Sequence, residues 1–207
     1  NFPTTSYSTD GQYAEFLGKG VYGSPNHYEW TFRIYNKTSR LRANRMSFYV
    51  FNDNAGLGVG SYFQDVITLG EWIHVVGSVD ASKTYIYKNG VAKDNDVYTA
   101  TITPADTTSP VRFGTTSANS TSDPGYMYGF LRDVRIWNRK LTDAEVTSIY
   151  NGTDITDGLV SKWLLNGDAT DSVGGHNGTI SGAVASNGNY TPVRTPATHR
   201  VAATHRS

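Results

Sequence analysis

Acidic residues are where hydrolytic chemistry would start, and here they are scattered. Only four glutamates occur, Glu15, Glu29, Glu71 and Glu145, and none has an acid two or four positions on. Glycoside hydrolysis with retention needs two carboxyls about 5–5.5 Å apart. On a strand that means acids at such a spacing on one face. Instead Glu71 has Val75 four residues on, and Glu29 has Arg33. No GxSxG turn, P-loop or HExxH appears, so nucleophilic, phosphate and zinc-peptidase chemistries also lack a local signature. Cysteine is absent, which removes thiol nucleophiles, disulfides, Cys-ligated zinc and iron–sulfur clusters together. The expectation is a chain that does not catalyse.

Binding chemistry has more material. The stretch 166–178, NGDATDSVGGHNG, offers Asp168, Asp171 and Asn177 among glycines, and calcium takes six to eight oxygens from such loops. These three are candidate ligands for a structural Ca2+. The competing reading is that Asp171 and Ser172 make local turn hydrogen bonds. Sugar recognition needs a ring to stack on and a few oriented polar groups. The chain has 14 Tyr and 4 Trp. The loop-adjacent candidates are Tyr22 and Tyr28 around Ser24-Pro25-Asn26, Tyr62 with Gln64 and Asp65, and Tyr126 and Tyr128 beside Asp123. For each, simple core packing is the alternative. Arg40, Arg42 and Arg45 form a small basic cluster, read either as a solvated hairpin end or as a contact for sulfated or uronic polysaccharides. Among the histidines, His27 and His176 fall in loops and His199 and His205 in a polar tail, while His74 reads as a packed strand residue.

Charge sets outer bounds. The 18 Lys+Arg balance the 18 Asp+Glu, so no global field draws the chain to nucleic acid or an anionic membrane. No apolar run approaches the roughly 20 residues of a spanning helix. The chain opens on Asn1 without a basic-then-apolar leader and reads as a processed or excised piece.

Strands must position these residues. Tyr28–Tyr35 (YEWTFRIY) alternates Tyr28, Trp30, Phe32 and Ile34 against Glu29, Thr31 and Arg33. Arg45–Phe51, Glu71–Val79, Val111–Gly114, Tyr128–Trp137 and Leu159–Leu165 read as further strands. Thr84–Lys88 and Val91–Lys93 flank Asn89-Gly90, the dipeptide suited to a type I′ hairpin turn. One helix is expected after Thr142, with Glu145 three residues on as a capping box and Asn151-Gly152 as the stop. From about Asn187 the chain carries Pro192, Pro196, no acid and the near-repeat ATHR at 197–200 and 203–206. It reads as tail.

Three segments taken together resemble the laminin-G-like, concanavalin A-like jelly-roll family: 71–91 (EWIHVVGSVDASKTYIYKNGV), 129–152 (GFLRDVRIWNRKLTDAEVTSIYNG) and 158–179 (GLVSKWLLNGDATDSVGGHNGT). The resemblance implies an all-β, two-sheet antiparallel jelly-roll sandwich with one short helix. It also implies an extracellular or cell-surface binding module for a polysaccharide or glycoconjugate. The glucanase Glu-x-Asp-x-Glu motif is missing, as are the Gln-Ile-His and Arg-Ser-Glu signatures of sandwich-fold alginate lyases. The segment resembling 158–179 ordinarily comes first in the family; here it comes last. The organisation is therefore 1–157, a sandwich short of its usual first strands; 158–186, a strand and loop completing this domain or a neighbouring subunit; and 187–207, tail or linker. A tandem array, a circular permutation and strand completion between copies of the chain all fit that order.

Overall fold

Alternating apolar and polar residues produce strands throughout the computed structural model, which describes residues 2, 13–21, 27–36, 38–51, 58–98, 106–115, 126–183 and 201–204. In chain order they are β1 (Ala14–Val21), β2 (His27–Ile34), β3 (Met46–Phe51), β4 (Gly58–Tyr62), β5 (Val75–Val79), β6 (Lys83–Lys88), β7 (Val91–Val97), β8 (Val111–Phe113) and β9 (Val134–Trp137). The helix α1 (Asp143–Tyr150), β10 (Leu159–Trp163) and β11 (Val201–Thr204) follow. A five-stranded sheet has the order β4-β3-β2-β1-β8, and a six-stranded sheet the order β10-β9-β11-β5-β6-β7. The expected sandwich with one short helix is what forms.

The two sheets meet over a shared core. Phe32 and Phe48 from the first sheet, with rings 4.8 Å apart, pack with Ile86, Val134, Ile136 and Trp163 from the second. Each such side chain contributes about 1.5–3 kcal/mol by leaving water. Gly77 in β5 sets how closely the sheets approach, because a Cβ there would lie 2.4 Å from the Phe48 ring and 2.6 Å from that of Phe32. A second core lies outside the six-stranded sheet, where Val146 and Ile149 of α1, with Leu141, cover Val76, Tyr87 and Trp137. The capping box holds: Thr142 Oγ1 accepts the Glu145 amide and the Glu145 carboxylate accepts the Thr142 amide. His74 is fully buried beside the Tyr150 ring. Asn89 and Gly90 take φ of 53° and 81°, which the tight β6–β7 turn requires.

Several elements differ from expectation. β1 was not among the expected strands, and β5 begins at Val75 rather than at Glu71. β9 begins only at Val134, because Asp133 sits at φ 54° and interrupts the strand. β4 was not foreseen, since Gly58 and Gly60 dilute its pattern. Val201–Thr204, within the stretch read as tail, forms β11 between β5 and β9, parallel to both. Backbone groups supply the pairing there, so little sequence signal is needed. β10 pairs antiparallel with β9 of the same chain. Trp163 is thereby buried against Phe113, and its indole N–H donates to the His176 carbonyl at 2.9 Å.

Candidate functional site

The outward face of the five-stranded sheet gathers rings and guanidinium groups. In β2 the core takes Trp30, Phe32 and Ile34, which leaves Arg33 to point away from it. In β3, Phe48 and Val50 enter the core, so Tyr49 and Phe51 lie on the outer face. The cross-strand partners of these two rings are Gly60 and Gly58. A Cβ on Gly60 would stand 2.4 Å from the Tyr49 ring, and one on Gly58 would stand 2.7 Å from that of Phe51. Both rings therefore lie flat over β4. Tyr62, two residues beyond Gly60, completes the row.

Cations are layered between these rings. The Arg33 guanidinium carbon sits 4.3 Å from the Tyr13 ring centroid and 4.2 Å from that of Tyr49. Arg42, from the β2–β3 loop, lies 4.5 Å over Tyr62, and its Nη1 donates to the hydroxyls of Tyr35 at 2.8 Å and Tyr49 at 3.0 Å. Arg45 stands 5.9 Å from the Tyr62 centroid. The loop is fixed by backbone bonds: the Tyr35 amide donates to the Arg45 carbonyl and the Asn44 amide to the Tyr35 carbonyl. The hydroxyls of Tyr35 and Tyr49 share a hydrogen bond. Burial first, then that bond, push the Tyr49 phenol up to about 12, so it stays neutral at physiological pH and supplies no counter-charge.

Of the residues expected to bind ligand, Tyr62 is in this cluster. Tyr22 and Asp123 lie outside the described residues, and Tyr28 falls in β2 with its side chain likewise undescribed. Tyr126 and Tyr128 are both more than half exposed, at 55% and 58%. Among the described residues neither ring contacts the cluster. Tyr13, Arg33, Tyr35 and Tyr49 were not singled out, although period-two alternation in β2 and β3 already assigns Arg33 and Tyr49 an outward side.

Over residues 3–147, more than half its length, the chain matches the family model for concanavalin A-like lectin/glucanases. It belongs to that superfamily. No curated protein matches the chain. Among solved structures it is similar to an S-layer domain-containing protein from Clostridium thermocellum, at 18% identity and a TM-score of 0.36, with 72% of this chain and 69% of that one covered. The superfamily includes lectins and glucanases alike, so membership does not choose between binding and catalysis. Two motifs, one inside that match and one beyond its end at residue 147, hold buried carboxylates. The Asp-x-Arg-Ile-Trp strand holds a buried ion pair: Arg135 meets Asp133 through Nε at 2.7 Å and Nη2 at 3.1 Å, and Asp154 through Nη1 at 2.9 Å. The Asp-Ser-x-Gly loop holds Asp171.

Asp171 is organised around N–H donors. Its Oδ1 accepts the amides of Lys162, Val173 and Gly174, and its Oδ2 accepts the His176 amide. Burial alone would raise its pKa, but these backbone bonds outweigh it and hold the carboxyl well below the usual range. Asn177 Oδ1 is turned to the Asp171 amide, and Asp168 Oδ1 accepts the Thr170 amide. Asp171 and Asn177 are thus brought together, but their oxygens face donors rather than a common centre. Among the described residues no three His, Cys, Asp or Glu converge as a metal set. The arrangement fits a turn-forming carboxylate and does not fit Ca2+. No helix among the described residues is long and apolar enough to cross a membrane.

Proposed function

We propose that the chain is a non-catalytic module, displayed outside the cell, that binds polysaccharide or glycoconjugate on the outer face of its five-stranded sheet. The observation that carries this reading is the alternation of half-buried rings and guanidinium groups on that face. Rings offer planes on which pyranose C–H faces stack, and arginines between them offer fixed donors to hydroxyls. Superfamily membership supports carbohydrate as the ligand class. The non-catalytic part is supported by carboxylates already engaged with cations: Glu29 with Lys19, Asp133 and Asp154 with Arg135, and Glu145 with Arg139. Affinity electrophoresis through a panel of neutral and acidic polysaccharides tests the reading. At least one polysaccharide should retard the protein, and Tyr62→Ala should weaken that binding about tenfold, the loss of one stacking contact. No retardation by any member, or an unaffected Tyr62→Ala, overturns it. Release of reducing ends from a bound polysaccharide would overturn the non-catalytic part.

A second reading is favoured by β11. A short strand filling a slot between two others is the kind of element that copies of one chain exchange, so strand completion between subunits of a surface assembly is the alternative.

A further inference from the structure

Five Asn-x-Thr triplets begin at Asn36, Asn119, Asn151, Asn177 and Asn189, and no Asn-x-Ser triplet occurs. The chain has 15 Asn and 25 Thr among its 207 residues, which by chance gives about two such triplets. A triplet of this kind, with any residue but proline in the middle, is the acceptor to which an oligosaccharide is joined in exported proteins. Its product is bulky and needs room. Asn119 and Asn189 lie outside the described residues. Asn36 is half-buried, whereas Asn151, at the end of α1, and Asn177, in the loop after β10, are exposed together with Thr153 and Thr179.

Asn177 is anchored by its oxygen and open at its nitrogen. Its Oδ1 accepts the Asp171 amide at 3.0 Å, and its Nδ2 makes no hydrogen bond among the described residues. It also stands beside a sheet edge that is only partly covered. β10 is the outermost strand of the six-stranded sheet. The loop after it caps the middle of that edge: the Lys162 amide donates to Asp171 Oδ1, and the Lys162 carbonyl accepts the Ser172 amide. Val160 and Leu164, two residues to either side of Lys162, are exposed, as are Val173 and Ile180 in the loop. The loop lies against β10 at this point, because a Cβ on Gly174 would run into the Val160 carbonyl and the His176 ring. His176 Nδ1 is 3.0 Å from Ser161 Oγ, and Asn177 follows directly. Exposed apolar side chains along a sheet edge favour edge-to-edge association unless something covers them.

Resting only on the display outside the cell proposed above, we infer that Asn177 is a glycan acceptor and that the oligosaccharide it carries covers the β10 edge. Nδ2 forms the bond to the anomeric carbon of the first sugar. The bond from that carbon to the phosphate of a polyprenyl-phosphate-linked donor breaks, and the proton released from Nδ2 balances the negative charge the phosphate gains. The glycan then stands over Val160, Leu164 and Val173, where a flexible hydrated chain keeps a second sheet edge away.

Peptide mass spectrometry of the full chain, recovered from outside the cells of its own organism, tests this. The peptide containing Asn177 should carry a glycan. Thr179→Ala keeps Asn177 and its bond to Asp171 but breaks the triplet, so it should lose that glycan, while Thr179→Ser should retain it. In light scattering, Thr179→Ala should associate at about tenfold lower concentration than Thr179→Ser. Thermal melts of both variants check the fold, and the wild-type peptide needs no variant. An unmodified Asn177 in the exported chain overturns the assignment, whichever other asparagine is modified, and leaves display outside the cell standing. A glycan on Asn177 with equal association of the two variants overturns the covering role. A chain found only inside the cell overturns display and this assignment with it.

Discussion

Arg135 is fully buried, and its three pairing nitrogens reach two aspartates. A buried ion pair is weak evidence for net stability, but removing its cation takes the bidentate contact from the buried Asp133, while Asp154 is half exposed and keeps Lys162. Arg135→Ala should therefore destabilise the fold by about 3–5 kcal/mol in denaturant titrations, because Asp133 loses its bidentate partner in a nearly water-free site. A loss below 1 kcal/mol would mean that water reaches Asp133 after the change. Asp171 makes the opposite kind of prediction. Its carboxylate satisfies four backbone amides, so Asp171→Ala should cost about 2–4 kcal/mol. Exchanging EDTA for millimolar calcium should leave the melting midpoint of the wild-type chain where it is; a clear upward shift with calcium would show a metal site that the hydrogen bonds conceal.

At the scale of elements, the spacing between the sheets depends on one glycine in β5. Gly77→Ala places a methyl inside the contact distance of the Phe48 and Phe32 rings, and overpacking of this kind costs about 1–3 kcal/mol. Chemical denaturation should show the loss, and an unchanged midpoint would mean that the rings rotate aside freely. The β6–β7 hairpin and α1 were legible in advance because their signals are local: a dipeptide that accepts positive φ, and a threonine three residues from a glutamate. β4 was not legible, because its outward positions carry Gly58 and Gly60. Their role appears only when Tyr49 and Phe51 are seen lying on them.

For the whole molecule, acid should be the sensitive axis. Asp80, Glu145 and Asp171 all have carboxyls held below the usual range in the folded state. Glu145 is held down to about 2, first by Arg139 and then by the Thr142 amide. For Asp80, burial works upward, but the Ser82 amide, Lys140 and Tyr85 outweigh it. A depressed folded pKa gives stability that is fully present above the unfolded value of about 4 and lost as pH falls below it. The melting midpoint should hold from neutrality to about pH 5, then fall steadily between about pH 4 and pH 2. A flat profile to pH 2 would remove these carboxylates from the account. The other global feature is the slot between β5 and β9. Deleting residues 184–207 leaves two strand edges with unpaired amides and carbonyls facing a gap, a template for association. Light scattering should find a concentration-dependent series of larger species for the truncated chain. A clean monomer would mean that the slot closes without β11, and strand completion between subunits would lose its support.

The sequence by itself determined whatever is set by neighbours within a few residues: which face of β2 is apolar, the tight turn at Asn89-Gly90, the capped helix and the spacing shared with the superfamily. Tertiary structure decided what depends on residues far apart in the chain. Arg33, Arg42, Tyr49 and Tyr62 come from three strands and a loop, and nothing in their local spacing says that they stack. The oxygens of Asp171 look like cation ligands until the amides of Lys162 and Gly174 are placed against them. Val201–Thr204 looks like tail until the backbone edges of β5 and β9 stand one strand apart, because there the hydrogen bonds come from groups every residue carries.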